Sequence, residues 1–114
     1  MEIIAGSVTA PLGFLAQGTE AMIKKQDKKD VAVIYSEQPC TAAGVFTNNK
    51  VRAACVDINR ACLENGQAQA IVANSGNANA CTGEQGKQDT LAMAQMTADL
   101  LHISPEDTLV ASTG

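Results

Sequence analysis

Two short stretches of small polar residues contain the side chains that could do chemistry. The first covers residues 74–82 and reads Asn-Ser-Gly-Asn-Ala-Asn-Ala-Cys-Thr, directly after an apolar run. The second is Ser112-Thr113-Gly114. Thr113 can present a hydroxyl and Gly114 a nearly unhindered backbone N–H, and two such donors could hold an oxyanion. The alternative is that each stretch is a turn or a strand end without chemistry.

The common catalytic motifs do not occur. A Walker A phosphate loop would need glycine at position 81 and serine or threonine at position 88, but the chain has Cys81 and Gln88. There is no G-x-G-x-x-G segment, nucleophile elbow or histidine-rich cluster. His102, the single histidine, lies just past a predicted helix end, so a surface or capping role is favoured over catalysis. The residues alone therefore show no complete active site.

Composition and charge exclude several classes of protein. The 114 residues suffice for one small domain, and the apolar fraction of 46% suffices for a core. The net charge of −4 and the 3% of aromatic residues argue against nucleic acid as a partner. No apolar run approaches the roughly eighteen residues of a membrane span, and the N-terminus lacks a signal-peptide pattern.

The cysteines point to a reducing compartment. None of Cys40, Cys55, Cys62 and Cys81 forms a C-x-x-C pair, so zinc and redox sites are weakly supported. Each lies among small apolar residues, as a buried free thiol would. Together with the missing signal pattern, this predicts a cytoplasmic protein.

The elements around the two polar stretches can be predicted from local patterns. The apolar run Gln69–Ala73 predicts a buried strand. Thr82 and Gln85 have capping-box spacing, so a helix should run from Gly83 to Leu101. A last strand is expected at Thr108–Ala111. Strands joined by a helix are usually parallel neighbours, and ligands bind at the carboxyl ends of such strands.

The first half of the chain favours strands joined by short turns, which we expect at residues 14–24, 30–35, 41–48 and 51–57. The continuous apolar run at 30–35 predicts burial on both faces. Gly44 suggests a bulge or a close backbone contact. A short helix is expected at Ile58–Glu64, stopped by Asn65-Gly66. The predicted fold class is α/β, with a mixed sheet and helices packed against it.

At four segments the sequence resembles the ornithine acetyltransferase family, the bifunctional glutamate N-acetyltransferase/amino-acid acetyltransferases of arginine biosynthesis. The segments are Val8–Pro11 with Gly13-Phe14, Ala43–Lys50, Asn74–Gly83 and Val110–Gly114. They cover nearly the whole chain in the expected order, and the third is highly specific. Leu12 departs from the lysine that the family often has. The resemblance implies that residues 1–114 are a single partial domain, the N-terminal fragment of the family's α chain, with part of an ornithine acetyltransferase-like fold.

The resemblance also implies a function. The family's precursor cuts itself ahead of a threonine, which becomes the nucleophile and carries an acetyl group from N-acetylornithine to glutamate by a ping-pong route. Bifunctional members also take the acetyl group from acetyl-CoA, and no cofactor or metal is implied. The family's Thr-Gly oxyanion hole matches Thr113 and Gly114, whereas its nucleophile lies beyond this chain. The implied partner is the β chain of the same precursor, in an α2β2 assembly.

Two other interpretations remain open. The chain could be a small non-catalytic ligand-binding or assembly module that uses the 74–82 loop. Alternatively, that loop only braces the strand that ends at Thr113. We favour backbone-satisfying roles for the side-chain amides of Asn74–Asn79, because buried amides more often bond backbone than substrate. The individual roles of Asn74, Asn77 and Asn79 are left open.

Overall fold

The computed structural model describes residues 2–19, 30–75 and 83–113. Its strands are β1 (Phe14–Thr19), β2 (Val31–Thr41), β3 (Gln67–Ser75) and β4 (Thr108–Thr113). Its α-helices are α1 (Ala54–Cys62) and α2 (Gly83–Leu101). Single turns of 3-10 helix follow α1 at Leu63–Asn65 and precede β4 at Pro105–Asp107.

The strands form one mixed sheet in the order β1-β2-β3-β4. The pairs β1–β2 and β2–β3 are antiparallel, whereas β3 and β4 are parallel and are joined through α2. The predicted α/β class and the parallel pairing across the second half of the chain are therefore confirmed. No helix in the described ranges combines the length and hydropathy needed to cross a membrane.

Both helices pack on one face of this sheet. The buried core consists of Cys55 from α1, Ala94 from α2, Val72 from β3 and Val110 from β4. Partly buried apolar residues around it are Val31, Val33, Ala53, Val56 and Met93. All of these side chains are small or unbranched beyond Cβ, so helices and sheet can approach closely.

The opposite face of the sheet is apolar but open. Because side chains alternate along a strand, the register places Ile34, Ile71 and Leu109 side by side on this face. Ile71 is 39% exposed, and its neighbours Ala32 and Ala111 are exposed as well. The expected burial of residues 30–35 on both faces is thus wrong, since α1 and α2 cover only the other side.

Two of the predicted strands do not form. Residues 42–49 have no regular structure, and the segment predicted as a strand at 51–57 contributes the start of α1. In α1, the buried Cys55 and the half-buried Asn59 and Cys62 repeat at helical spacing, and this tertiary burial overrides the β-branched residues. The predicted helix stop is confirmed, because Gly66 has a φ of 71° and its N–H donates to Leu63.

Strand β2 is longer than predicted. It continues past Ser36 to Thr41, with a register irregularity between Tyr35 and Cys40. Pro39 lies within this irregularity, where a residue without an N–H can be accommodated in a sheet. Gly44 lies at neither a bulge nor a close backbone contact, because it is outside the strands and its close neighbours are side chains. A Cβ atom there would lie 3.0 Å from the Leu63 side chain.

Helix α2 has the predicted bounds, but its capping residue Thr82 lies outside the described residues. Its C-terminal end is a Schellman motif. The N–H of Ile103 donates to the carbonyl of Ala98 at 3.0 Å, and the N–H of His102 points to Asp99 at 3.4 Å. His102 takes the left-handed position with a φ of 58°, and it is exposed. The predicted surface or capping position of this histidine is therefore confirmed.

The left-handed backbone of His102 allows a stability test. The left-handed conformation costs a residue with a Cβ atom about 1 kcal/mol or more, whereas glycine adopts it without this penalty. We expect His102→Gly to raise the unfolding free energy by about 0.5–1 kcal/mol in urea titrations. His102→Ala keeps the Cβ atom and should give no such gain. Equal stability of the glycine and alanine variants would show that the backbone at this position is not strained.

The open sheet face predicts association of the isolated chain. Exposed contiguous apolar surface promotes self-association and binding of hydrophobic dyes. Light scattering of the chain should show particles larger than a monomer, together with dye fluorescence. Ile71→Lys on the open face should reduce both signals. Met96→Lys, at an exposed position of α2, is the control and should leave them unchanged. A monomer at high concentration without dye binding would contradict the prediction.

Candidate functional site

The two polar stretches meet at one edge of the sheet. In the parallel register Asn74 of β3 lies opposite Ser112 of β4, and Ser75 lies opposite Thr113. This is the carboxyl edge of the parallel pair, where open α/β sheets bind ligands. The remaining predicted residues, Asn77, Asn79 and Gly114 among them, lie outside the described residues. Of the predicted site, the structure therefore brings together the ends of β3 and β4.

Neighbouring residues of β4 face opposite sides of the sheet. Val110 is fully buried toward the helices, and Ser112 follows it on the same side with a buried hydroxyl oxygen. Thr113 is exposed, and the alternation directs its side chain to the open face of the sheet. A reacting group could approach the Thr113 hydroxyl from that face without displacing a helix.

Two buried oxygen atoms lie between the ends of β3 and β4. Asn74 is 8% exposed, and its amide nitrogen contacts the sulfur of Met93 at 3.6 Å. Its Oδ1 atom and the Oγ atom of Ser112 have no hydrogen-bond partner among the described residues. The loop backbone that this amide was expected to satisfy lies at residues 76–82, outside the described residues, so the backbone-satisfying role of Asn74 stays a prediction. An unpartnered buried polar atom costs about 1–3 kcal/mol.

The outer edge of β4 is held by a side chain. The Nδ2 group of Asn59 in α1 donates to the carbonyl of Val110 at 2.7 Å, and the N–H of Val110 donates to Oδ1 of Asn59 at 2.9 Å. This pair of bonds also assigns the amide orientation, because a flipped amide would face donor with donor. Val110 is fully buried, so its main-chain groups would otherwise lack a partner.

Sequence reasoning missed Asn59. It lies between Cys55 and Cys62 at helical spacing, so it is a polar residue on the core-facing side of α1. Such a residue needs a hydrogen-bond partner, which is the signal that could have singled it out. The partner itself lies 51 residues away in β4 and could not be read from local spacing.

The described cysteines do not form a reactive centre. Cys40, Cys55 and Cys62 are free thiols. Burial, together with the negative charges of Glu106 and Asp107, raises the pKa of the Cys62 thiol above its ordinary value. A raised pKa keeps the thiol protonated at neutral pH and therefore weakly nucleophilic. In the described ranges, no group of three or more histidine, cysteine, aspartate or glutamate side chains could hold a metal ion.

A cleft of about 650 Å³ lies between α1 and the start of α2. Its charged lining residues are Lys50, Arg52, Asp57, Glu84 and Lys87. Both signs of charge are present, and the Arg52 guanidinium is already bonded to Asp57 at 2.7 Å. The cleft therefore offers no single-sign field for an ionic ligand, and the ends of β3 and β4 remain the better candidate.

The hydroxyl of Ser112, which has no hydrogen-bond partner in the described part of the chain, predicts an unusual mutational response. Removing a buried polar group that has no partner should be neutral or stabilising, so we expect Ser112→Ala to leave the unfolding free energy unchanged or raise it by up to about 1 kcal/mol. Ser36→Ala is the matched control. Ser36 is buried and its hydroxyl donates to the carbonyl of Gln38 at 2.6 Å, so this variant should lose about 1 kcal/mol. Equal losses in both variants, measured by urea unfolding, would show that Ser112 has a partner.

Comparisons with known proteins agree along almost the entire chain. The model of the ArgJ family matches residues 15–114. An arginine biosynthesis bifunctional protein ArgJ from Symbiobacterium thermophilum is 57% identical over 116 residues, which cover all of this chain and 29% of that protein. The protein of the same name from Caldanaerobacter subterraneus is 52% identical over 114 residues, covering all of this chain and 28% of that protein. The chain thus spans less than a third of the length of these relatives.

Solved structures show the same fold. The arginine biosynthesis bifunctional protein ArgJ from Bacillus halodurans superposes with a TM-score of 0.90 at 40% identity, over 96% of this chain and 57% of the other. An ornithine acetyltransferase from Mycobacterium tuberculosis, solved with ornithine, gives a TM-score of 0.89 at 43% identity, over 94% of this chain and 58% of the other. The family match, the relatives and the structures all agree: the chain belongs to the ArgJ family.

Proposed function

We propose that this chain is the N-terminal part of an enzyme of arginine biosynthesis that transfers an acetyl group from N-acetylornithine to glutamate. Membership of the ArgJ family across residues 15–114 supports this function for the whole protein. The ornithine bound to the Mycobacterium tuberculosis relative fits a substrate of this class. In the bifunctional form, acetyl-CoA serves as a second acetyl donor.

We place the chain in the α subunit of a self-cleaving precursor, with the β chain as its partner in an α2β2 assembly. Chain lengths support this placement. This chain aligns over almost its full length with both proteins, but it covers 57% of the solved Bacillus halodurans chain and only 29% of the Symbiobacterium thermophilum protein. The solved chain is therefore about half as long as that relative. Cleavage of one precursor into two similar chains would produce this difference.

The part of the reaction that we assign to this chain is stabilisation of the oxyanion. The observation that carries the assignment is the position of Thr113, exposed at the carboxyl edge of the parallel strands and on the side away from the helices. Its hydroxyl and the N–H of Gly114 are the proposed donors. Such donors act most strongly on the negative charge that develops in a tetrahedral intermediate.

The chemistry around these donors is acyl transfer in two steps. The hydroxyl of a threonine in the downstream chain attacks the acetyl carbonyl of N-acetylornithine, with its own α-amine as base. The tetrahedral intermediate collapses, the amide C–N bond breaks and protonated ornithine leaves. The amine of glutamate then attacks the acetyl-threonine ester and regenerates the hydroxyl. Both steps pass through an oxyanion, so the same two donors serve both.

Thr113 provides the direct test of this proposal. In the cleaved, folded full-length enzyme, Thr113→Ala should lower kcat by roughly a hundredfold while KM changes little, because the donor acts only in the transition state. Thr113→Ser keeps the hydroxyl and should keep much of the rate. Steady-state kinetics with N-acetylornithine and glutamate make the comparison. If self-cleavage uses the same donors, uncleaved precursor should accumulate in the alanine variant.

Two outcomes would contradict the proposal. An unchanged kcat in Thr113→Ala would remove this residue from the mechanism. Acetyl transfer by the purified chain alone, without the downstream nucleophile, would show that the reaction is divided differently between the parts of the protein.

A further inference from the structure

We infer that Asn59 is a positioning residue for the proposed oxyanion hole, acting through the outer edge of β4. The inference rests on the proposed function of Thr113. It assigns a role in the reaction to a side chain of α1 that lies outside the four segments on which the family resemblance rests.

The main-chain groups on the outer edge of β4 require hydrogen-bond partners. Alternate residues of a strand direct their N–H and C=O groups to the same edge, and Val110 directs both groups away from β3 toward α1. Val110 has no exposed surface, so water cannot satisfy these groups. In the described sheet β4 is the last strand, and no further strand pairs with this edge.

Asn59 takes the place of the missing strand at one position. Its amide supplies one donor and one acceptor in the same spacing as a peptide group, with bonds of 2.7 and 2.9 Å. Among side chains of this length only an asparagine amide can meet both needs of Val110, since aspartate has no donor when ionised and leucine has neither group. The two bonds fix the position of β4 along its own axis as well as its distance from α1.

This constraint acts close to Thr113. Thr113 follows the clamped residue by three positions of extended strand, a distance of about 10 Å. The inner edge of β4 remains paired with β3 up to Ser75. Without Asn59, β4 is anchored on one side only, and its end can rotate or shift. An oxyanion donor must lie about 2.7–3.1 Å from the oxyanion, and a misplacement near 1 Å can cost roughly a hundredfold in rate.

The experiment is a double-mutant cycle in the cleaved full-length enzyme. Asn59→Ala should lower kcat about tenfold or more with less than a twofold change in KM. If Asn59 acts through the oxyanion hole, Asn59→Ala should reduce kcat by a smaller factor in an enzyme that already lacks the Thr113 hydroxyl. The factor by which kcat falls in the Asn59→Ala, Thr113→Ala double variant should then be at least fivefold smaller than the product of the factors for the two single variants.

Two further variants separate positioning from general stability. Asn59→Gln keeps the amide on a longer side chain and should recover part of the rate, and it replaces the alanine variant in the cycle if that variant does not fold. Asn65→Ala is the matched control. It removes another asparagine bond to the backbone, Gln67 N–H to Asn65 Oδ1 at 2.9 Å, but away from β4, and should leave kcat unchanged.

The outcomes distinguish this inference from the function on which it rests. A large loss in Thr113→Ala combined with an unchanged kcat in Asn59→Ala and Asn59→Gln would overturn the positioning role alone. Fully multiplicative losses in the double variant would also overturn it, because they show that Asn59 supports the fold and not the hole. An unchanged kcat in Thr113→Ala would instead overturn the oxyanion hole itself.

Discussion

Val110 imposes the central constraint on this structure. It is fully buried in the last strand of the described sheet, so both of its main-chain groups need a partner on a side where no strand follows. The amide of Asn59 supplies both partners and thereby fixes α1 against β4. Helix α2 then packs beside α1 over the parallel pair, and the core of small side chains closes between them. One pair of hydrogen bonds thus connects the helical layer to the strand that ends at the candidate site.

The second half of the fold was predictable because its signals are local. Helix α2 begins and ends at the predicted residues, since its long helical periodicity outweighs context. The segment at 51–57 was misassigned because its valines favour a strand, whereas burial of Cys55 and Asn59 favours a helix. Local propensity could not decide between strand and helix here, because the contact that favours the helix is made with β4, far away in the sequence.

Only part of the candidate site could be predicted from the sequence. Parallel strands joined by a helix place the ends of β3 and β4 side by side, and that convergence follows from topology alone. The proposed role of Thr113 rests mainly on a family resemblance, since a threonine at a strand end has no distinguishing physical signature. The role of Asn59, and the Asn74 and Ser112 oxygens that lack a partner within residues 2–19, 30–75 and 83–113, could not be predicted from the sequence, because each depends on the distances between elements far apart in sequence.

The alternation along β4 constrains changes in chain length. Val110 and Ser112 face the helices and Thr113 faces the opposite side, so a shift of β4 by one residue would exchange these orientations. An insertion or deletion between α2 and β4 is therefore neutral only if the turn at residues 102–107 absorbs it completely. One that is transmitted into the strand would bring the neighbour of Val110 to Asn59 and turn the Thr113 hydroxyl into the core. Length variation should accordingly be tolerated at this turn only where the strand register is kept.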